Sequence, residues 1–295
     1  MQLDYYKKIV DMSKILIFAF VSILFSFSCI SCTSTSQGRS SIEDEDLIDT
    51  TQLPLEAQKA NKLFYSLPTS HEIISILIDH PDTKYDISII SKADAQRYNT
   101  TAGRALNIGI YGTDMCYSSL FEQNPQVLKY MSAIKKMSEQ LGLLQIFNEE
   151  TLQKMQDNIS KKDSMVAIVT KTFYESDAYL IENGQHETAA MILAGAWLEG
   201  HYVALKLTKE DIAFNRKLST RVLKQLGEMS LMTDYLEKYK EDVNVGEVYG
   251  DFSTLKTIVD NANIKENDGE LVCDAEIFKQ IAEKIYEMRA KYIAK

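Results

Sequence analysis

Two stretches of the sequence, ALNIGIYGTDMCYSSLF (residues 105–121) and AAMILAGAWLEGHYVAL (residues 189–205), are apolar or small on every face that a helix would present. A helix without a polar side has to be enclosed, and that requirement constrains the fold more than any other feature of the chain. Both stretches carry titratable groups and fall short of the roughly 20 apolar residues of a membrane span, so the enclosing medium is protein. Gly103, Gly109, Gly112, Ala194, Gly195, Ala196 and Gly200 lie in or beside them. A glycine inside a helix costs about 1 kcal/mol relative to alanine, and close approach of neighbouring helices is the natural reason to keep several. The expected architecture is all-α: a multi-helix orthogonal bundle with these two segments as its fully buried central helices.

The remaining segments read as amphipathic helices that wrap the central pair. NPQVLKYMSAIKKMSEQLG places Asn124 as N-cap, Pro125 at the first helical position and Gly142 just past the end. Val127, Leu128, Met131, Ile134, Ser138 and Leu141 form its inner stripe. Asn148 opens the next helix, with acidic residues in the first turn where the helix dipole favours them. The segment after it stops at Asn183-Gly184, a left-handed terminus. Thr208 and Asp211 resemble a shortened capping box opening a further helix, and Ser253 is placed to cap TLKTIVDNAN. In the last helix Ile277, Phe278, Ile281, Ile285, Met288 and Tyr292 share one stripe. Four prolines and 12 glycines are too few for an all-β chain, which needs a turn every ~8–12 residues. Connections are short, so neighbouring helices should pack antiparallel, and no regular repeat emerges.

The N-terminus carries an address. Lys7, Lys8 and Lys14 precede the uncharged stretch ILIFAFVSILFSFS, the order of basic, apolar and small residues found in an export signal. In SFSCISCTSTS, Cys29 and Cys32 have C-x-x-C spacing, yet they follow an apolar segment rather than opening a helix of a βαβ unit, and no second pair completes a zinc site. The stretch fits a lipobox, with lipid on Cys29, or alternatively on Cys32. The expected organisation is a signal peptide at 1–28, a lipidated flexible tether at 29–53 and a helical domain at 54–295, with a subdivision near 208 left open. The acidic run Glu43, Asp44, Glu45, Asp46 belongs to the solvated tether. The expected location is the outer membrane facing the periplasm, with surface exposure left open. Cys116 and Cys273 are expected to be buried free thiols. A net charge of −10 argues against nucleic acid as a partner.

The segments LNIGIYGTDMCYSSLF, QVLKYMSAIKKMSEQLG, KDSMVAIV, YLIENG and ILAGAWLEGHYVAL together look like a group of all-helical lipoproteins of Gram-negative bacteria whose activity is uncharacterised. The resemblance covers roughly residues 102–205, and it implies a helical lipoprotein without naming an activity, a cofactor or catalytic residues.

Asp114 and Glu199 stand out because each is an acid within an apolar helix, where an unpaired carboxylate is costly. On a helix, Asp114 shares a face with Asn107, Ile110, Tyr111, Tyr117 and Ser118, and Glu199 with Ile192, Gly195, Ala196, Tyr202 and Val203. The candidate pocket is Tyr111, Asp114, Tyr117, Trp197, Glu199 and Tyr202. The competing expectation is a structural network of acid with tyrosine hydroxyl, tryptophan N–H or helix terminus. His201 lies about 200° round the helix from Glu199, EGHYVAL is no H-E-x-x-H motif, and His71, His80 and His186 have no carboxylate at ligand spacing, so no metal is expected. DNANIKENDGEL (260–271) misplaces the calcium-loop glycine and reads as a turn. No nucleotide fingerprint or G-x-S-x-G elbow occurs, and no cofactor is expected. Two functions remain: a membrane-anchored helical binding or scaffold module with an envelope protein as partner, and a cofactor-free hydrolase or lyase using Asp114 and Glu199. The second requires both acids to line an open cavity.

Overall fold

The computed structural model describes residues 84–294. The export segment, Cys29, Cys32, the tether, the start of the helical domain, His71 and His80 lie outside the described residues. All described residues fall within one compact unit. The chain enters through a segment with two short 3₁₀ turns, Ile87–Ile89 and Ala95–Arg97. It then forms α1 (Thr101–Leu120), α2 (Asn124–Gln140), α3 (Glu149–Asp157), α4 (Lys162–Glu182) and α5 (His186–Leu207). After these come α6 (Arg216–Gly227), α7 (Ser230–Glu237), α8 (Val243–Asp260), the strands β1 (Lys265–Asn267) and β2 (Glu270–Val272), and α9 (Ala275–Ala294). The fold is all-α with one small hairpin.

The two apolar stretches are α1 and α5, buried along most of their length and packed against each other. Glycine sets the approach. A Cβ at Gly109 would stand 2.6 Å from the Ala196 nitrogen, and one at Gly195 would stand 2.9 Å from the Leu106 carbonyl carbon. Each glycine therefore lies against the backbone of the opposite helix, and both are needed for the two axes to come so close. At Gly112 the neighbour is the Phe173 ring of α4. Gly200 differs from the expectation, since open space lies where its side chain would be.

Helix ends follow local chemistry. The Thr100 hydroxyl accepts from Gly103 N at 3.0 Å to start α1, and Asn148 Oδ1 accepts from Thr151 N at 2.8 Å to start α3. At Gly142 and Gly184 (φ +75° and +71°) the chain turns left-handed, and paired bonds such as Gln185 N to Leu180 O, 2.8 Å, and Gly184 N to Ile181 O, 3.1 Å, close the last turn of α4 as a Schellman motif. Three expected starts move. Asn124 lies inside the first turn of α2, and its amide reaches the Ser160 hydroxyl at 3.2 Å. Thr208 ends α5 through its hydroxyl on Leu205 O, 2.8 Å, whereas Asn215 caps α6. Ser253 sits in the middle of α8, because Asp242 already accepts from Asn244 N and Val245 N and starts that helix earlier. On α2 the inner stripe takes Tyr130, and Leu128 is 45 % exposed.

The 260–271 turn is in fact a β-hairpin. Asp268 and Gly269 both have positive φ (52° and 80°), the signature of the two-residue I′ turn that Asp-Gly favours. β1 and β2 pair antiparallel with Asn267 opposite Glu270, and Leu271 N donates to Thr220 Oγ1 on α6 at 3.1 Å. Cys116 and Cys273 are both free and only partly buried.

Candidate functional site

Arg289 organises the polar centre of the fold. It lies on the apolar stripe of α9, four residues after Ile285 and three before Tyr292, and is 7 % exposed. Its Nε donates to Glu199 Oε2 at 2.7 Å and its Nη2 to Glu199 Oε1 at 2.8 Å, the side-on two-bond geometry that suits a planar guanidinium. The guanidinium carbon lies 3.8 Å from the centre of the Tyr202 ring, so the charge is flanked by an aromatic face as well as by its partner. Nη2 also donates to Ser91 Oγ at 2.9 Å and to Ile89 O at 3.3 Å.

Asp114 completes the cluster from α1. Neither it nor Glu199 exposes any surface. Its Oδ2 accepts from Ser91 N at 2.9 Å, while Oδ1 receives no donor. Burial, and then the Glu199 carboxylate with which Asp114 is hydrogen-bonded, push its proton affinity well above the ordinary carboxylate range. The proton that burial favours on Asp114 lies in the hydrogen bond it shares with Glu199. With that proton in place the formal charges balance, one carboxylate to one guanidinium.

Above the cluster lies the entering segment, whose hydrogen bonds to the helical body come almost entirely from its backbone. Tyr117 Oη accepts from Asp86 N at 3.0 Å, and Tyr111 Oη accepts from Asp94 N at 3.0 Å. Tyr111 Oη donates to Lys92 O at 2.9 Å, and Tyr130 Oη donates to Ser91 O. The strap 86–94 thus rests on α1, α2 and α9.

Of the six residues expected to line a pocket, Asp114, Glu199 and Tyr202 meet around Arg289, and Tyr111 and Tyr117 border them beneath the strap. Trp197 goes elsewhere. It stacks on His201 at 3.7 Å between ring centres and packs against Phe252 of α8 at 5.2 Å, because residues 197 and 201 share a face turned well away from residue 199. His201 is fully buried, donates through Nδ1–H to Trp197 O at 2.8 Å, and burial pulls its proton affinity down to about 4. The space expected to be a pocket is filled by a guanidinium and a strap. Arg289 and Tyr130 were not foreseen from the sequence, although a charge at the i+4 position of an apolar stripe is a legible sign of a buried ion pair.

A surface cavity of about 360 Å³ lies where α6 meets α7 beside the end of α8, with Ser230, Lys256, Asp260 and Asn263 in its wall; no residue of the Arg289 cluster borders it. Among the described residues, no three of His, Cys, Asp and Glu are placed to hold a metal ion, and no helix is long and apolar enough to cross a membrane.

Fold and site together define a helical domain whose central charges are spent on internal pairing. No protein-family model, curated protein or solved structure matches the chain. The all-α architecture accordingly stands on the helices themselves.

Proposed function

We propose that the chain is a lipid-anchored envelope protein whose helical domain serves as a binding or scaffold module. The observation that carries this reading is the order of residues in 1–32: basic, apolar, small, then Cys29. An acyl-linked cysteine followed by a polar tether puts a domain on a membrane surface with reach and no other task implied. The buried cluster supports a non-catalytic role. An acid–base catalyst needs a carboxyl within reach of a substrate, and Asp114 and Glu199 expose no surface and are committed to Arg289, Ser91 and each other. The partner on this reading is another envelope protein.

The test is fractionation with mass spectrometry of the mature N-terminus. Acylated Cys29 in the membrane fraction is expected, with Cys29→Ser releasing the protein from membranes and Cys32→Ser leaving it there. An unprocessed Met1 on soluble protein would sink the reading. In-cell crosslinking of the anchored chain should then recover an envelope protein.

A further inference from the structure

An irregular segment has no ladder of its own, and the buried backbone groups of residues 86–94 are paired by a row of side chains. In residues 86–94 the main chain makes the contacts: Asp86 N, Ile89 O, Ser91 N, Ser91 O, Lys92 O and Asp94 N each meet a side chain of the helical body. The receiving side chains come from three helices, with Tyr111, Asp114 and Tyr117 on α1, Tyr130 on α2 and Arg289 on α9. The backbone is extended at Asp86 and Ile90, which flank the 3₁₀ turn 87–89, and at Asp94, which precedes the second turn, with φ −127°, −104° and −148°.

The strap's own side chains point mostly outward. Asp86, Ile87, Ser88, Lys92 and Asp94 are exposed, and Ile89 alone in this stretch is buried. Of the strap's side chains, the Ser91 hydroxyl hydrogen-bonds the body, to Arg289, while Ile89 lies in the core and Ile90 and Ala93 pack against it. Recognition of this kind reads a polypeptide backbone, with one aliphatic anchor and one small hydroxyl two residues on, and it tolerates change at the other positions. It is the way a groove holds an extended peptide.

We propose that the surface made by Tyr111, Asp114, Tyr117, Tyr130 and Arg289 is a binding groove for an extended polypeptide segment, and that residues 86–94 occupy it in cis. The partner is a stretch of another protein that forms one short turn ending in an aliphatic residue, two positions before a serine or similarly small polar residue. It gains the groove by displacing the strap, whose local concentration lowers the partner's apparent affinity. The proposal rests on the binding-module reading given above.

The full chain can be tested with two labelled, end-capped peptides: residues 86–94 themselves, and a peptide of equal length that keeps only the isoleucine and serine positions. Ser91→Pro removes the N–H that Asp114 accepts, and Ile89→Asp expels the apolar anchor; both alter the strap and leave the groove intact. Fluorescence anisotropy should show both peptides binding each variant at least about tenfold more tightly than they bind the wild type. Adding Tyr111→Phe to the Ile89→Asp chain should weaken that binding. Variants that keep their helical circular dichroism yet bind neither peptide, or bind only the 86–94 sequence, would overturn the proposal. So would loss of the helical signal in both variants, since the strap would then be inseparable from the fold. Peptide binding in a chain for which crosslinking finds no envelope partner would remove the cellular role and leave the groove.

Discussion

Asp177 is a carboxyl that the fold has not provided for. It lies on the inner face of α4, four residues after Phe173 and three before Leu180, and is 4 % exposed. It faces Ala189 and Ile192 of α5 across a small gap, and its Oδ1 has no hydrogen-bond partner among the described residues. Burial alone raises its proton affinity from the ordinary 3.8 to about 7. Because the folded state holds this proton more tightly than the unfolded chain does, stability is fully present below about 3.8 and is lost as the pH rises through about 7. A shift of about three units at ~1.4 kcal/mol each amounts to about 4 kcal/mol, a large part of the ~5–15 kcal/mol that holds a domain together.

Asp177→Asn keeps the shape and cannot ionise. Urea unfolding followed by circular dichroism, repeated from pH 4 to pH 9 on chains in which Cys29 and Cys32 are serine, gives stability as a function of pH for both proteins. Subtracting the variant cancels every other titration, including His201 and Asp114. The wild type minus Asp177→Asn difference should fall by up to ~1.4 kcal/mol per unit from about pH 4 to about pH 7, and then level off. A flat difference across the whole range would refute the reasoning, because it would mean that the carboxylate finds water or a cation in the folded state.

Glu199→Gln leaves the Arg289 guanidinium buried without its counter-charge and should destabilise the fold by about 3–5 kcal/mol in the same unfolding measurement. Asp114→Asn should lie within ~1 kcal/mol of wild type at neutral pH, since an amide can donate to Glu199 in place of the carboxyl proton and still accept from Ser91 N. Gly195→Ala drives a Cβ into the Leu106 carbonyl and should cost about 1–3 kcal/mol by thermal melting, whereas Gly200→Ala, with open space around it, should stabilise by ~0.5–1 kcal/mol.

Much of the fold could be read because its determinants are local. The all-round apolar character of α1 and α5, the caps at Asn148, Gly142 and Gly184, and the stripe of α9 each arise within a few residues of one another. The misplaced starts at Asn124, Thr208 and Ser253 have separate causes: no side chain caps α2, which starts from Gln123, and Asn215 rather than Thr208 supplies the acceptor that opens α6. Asp242 could reach two backbone N–H groups, so Ser253 was never needed.

The site was half legible for a different reason. Asp114 and Glu199 announce themselves as acids where the pattern calls for apolar residues, but the charge that answers them sits 90 residues beyond Glu199. An apolar-face acid therefore states only that a partner exists. The same periodicity that flags the acids also locates the partner, once it is applied to cations. Positions 285, 288, 289 and 292 follow the i, i+3, i+4, i+7 spacing of a buried stripe, and the only charge among them is Arg289. A buried acid and a buried base in one chain, each on an otherwise apolar face, are far more stable together than apart. Reading both signs at once predicts an internal ion pair where reading the acids alone predicts a pocket.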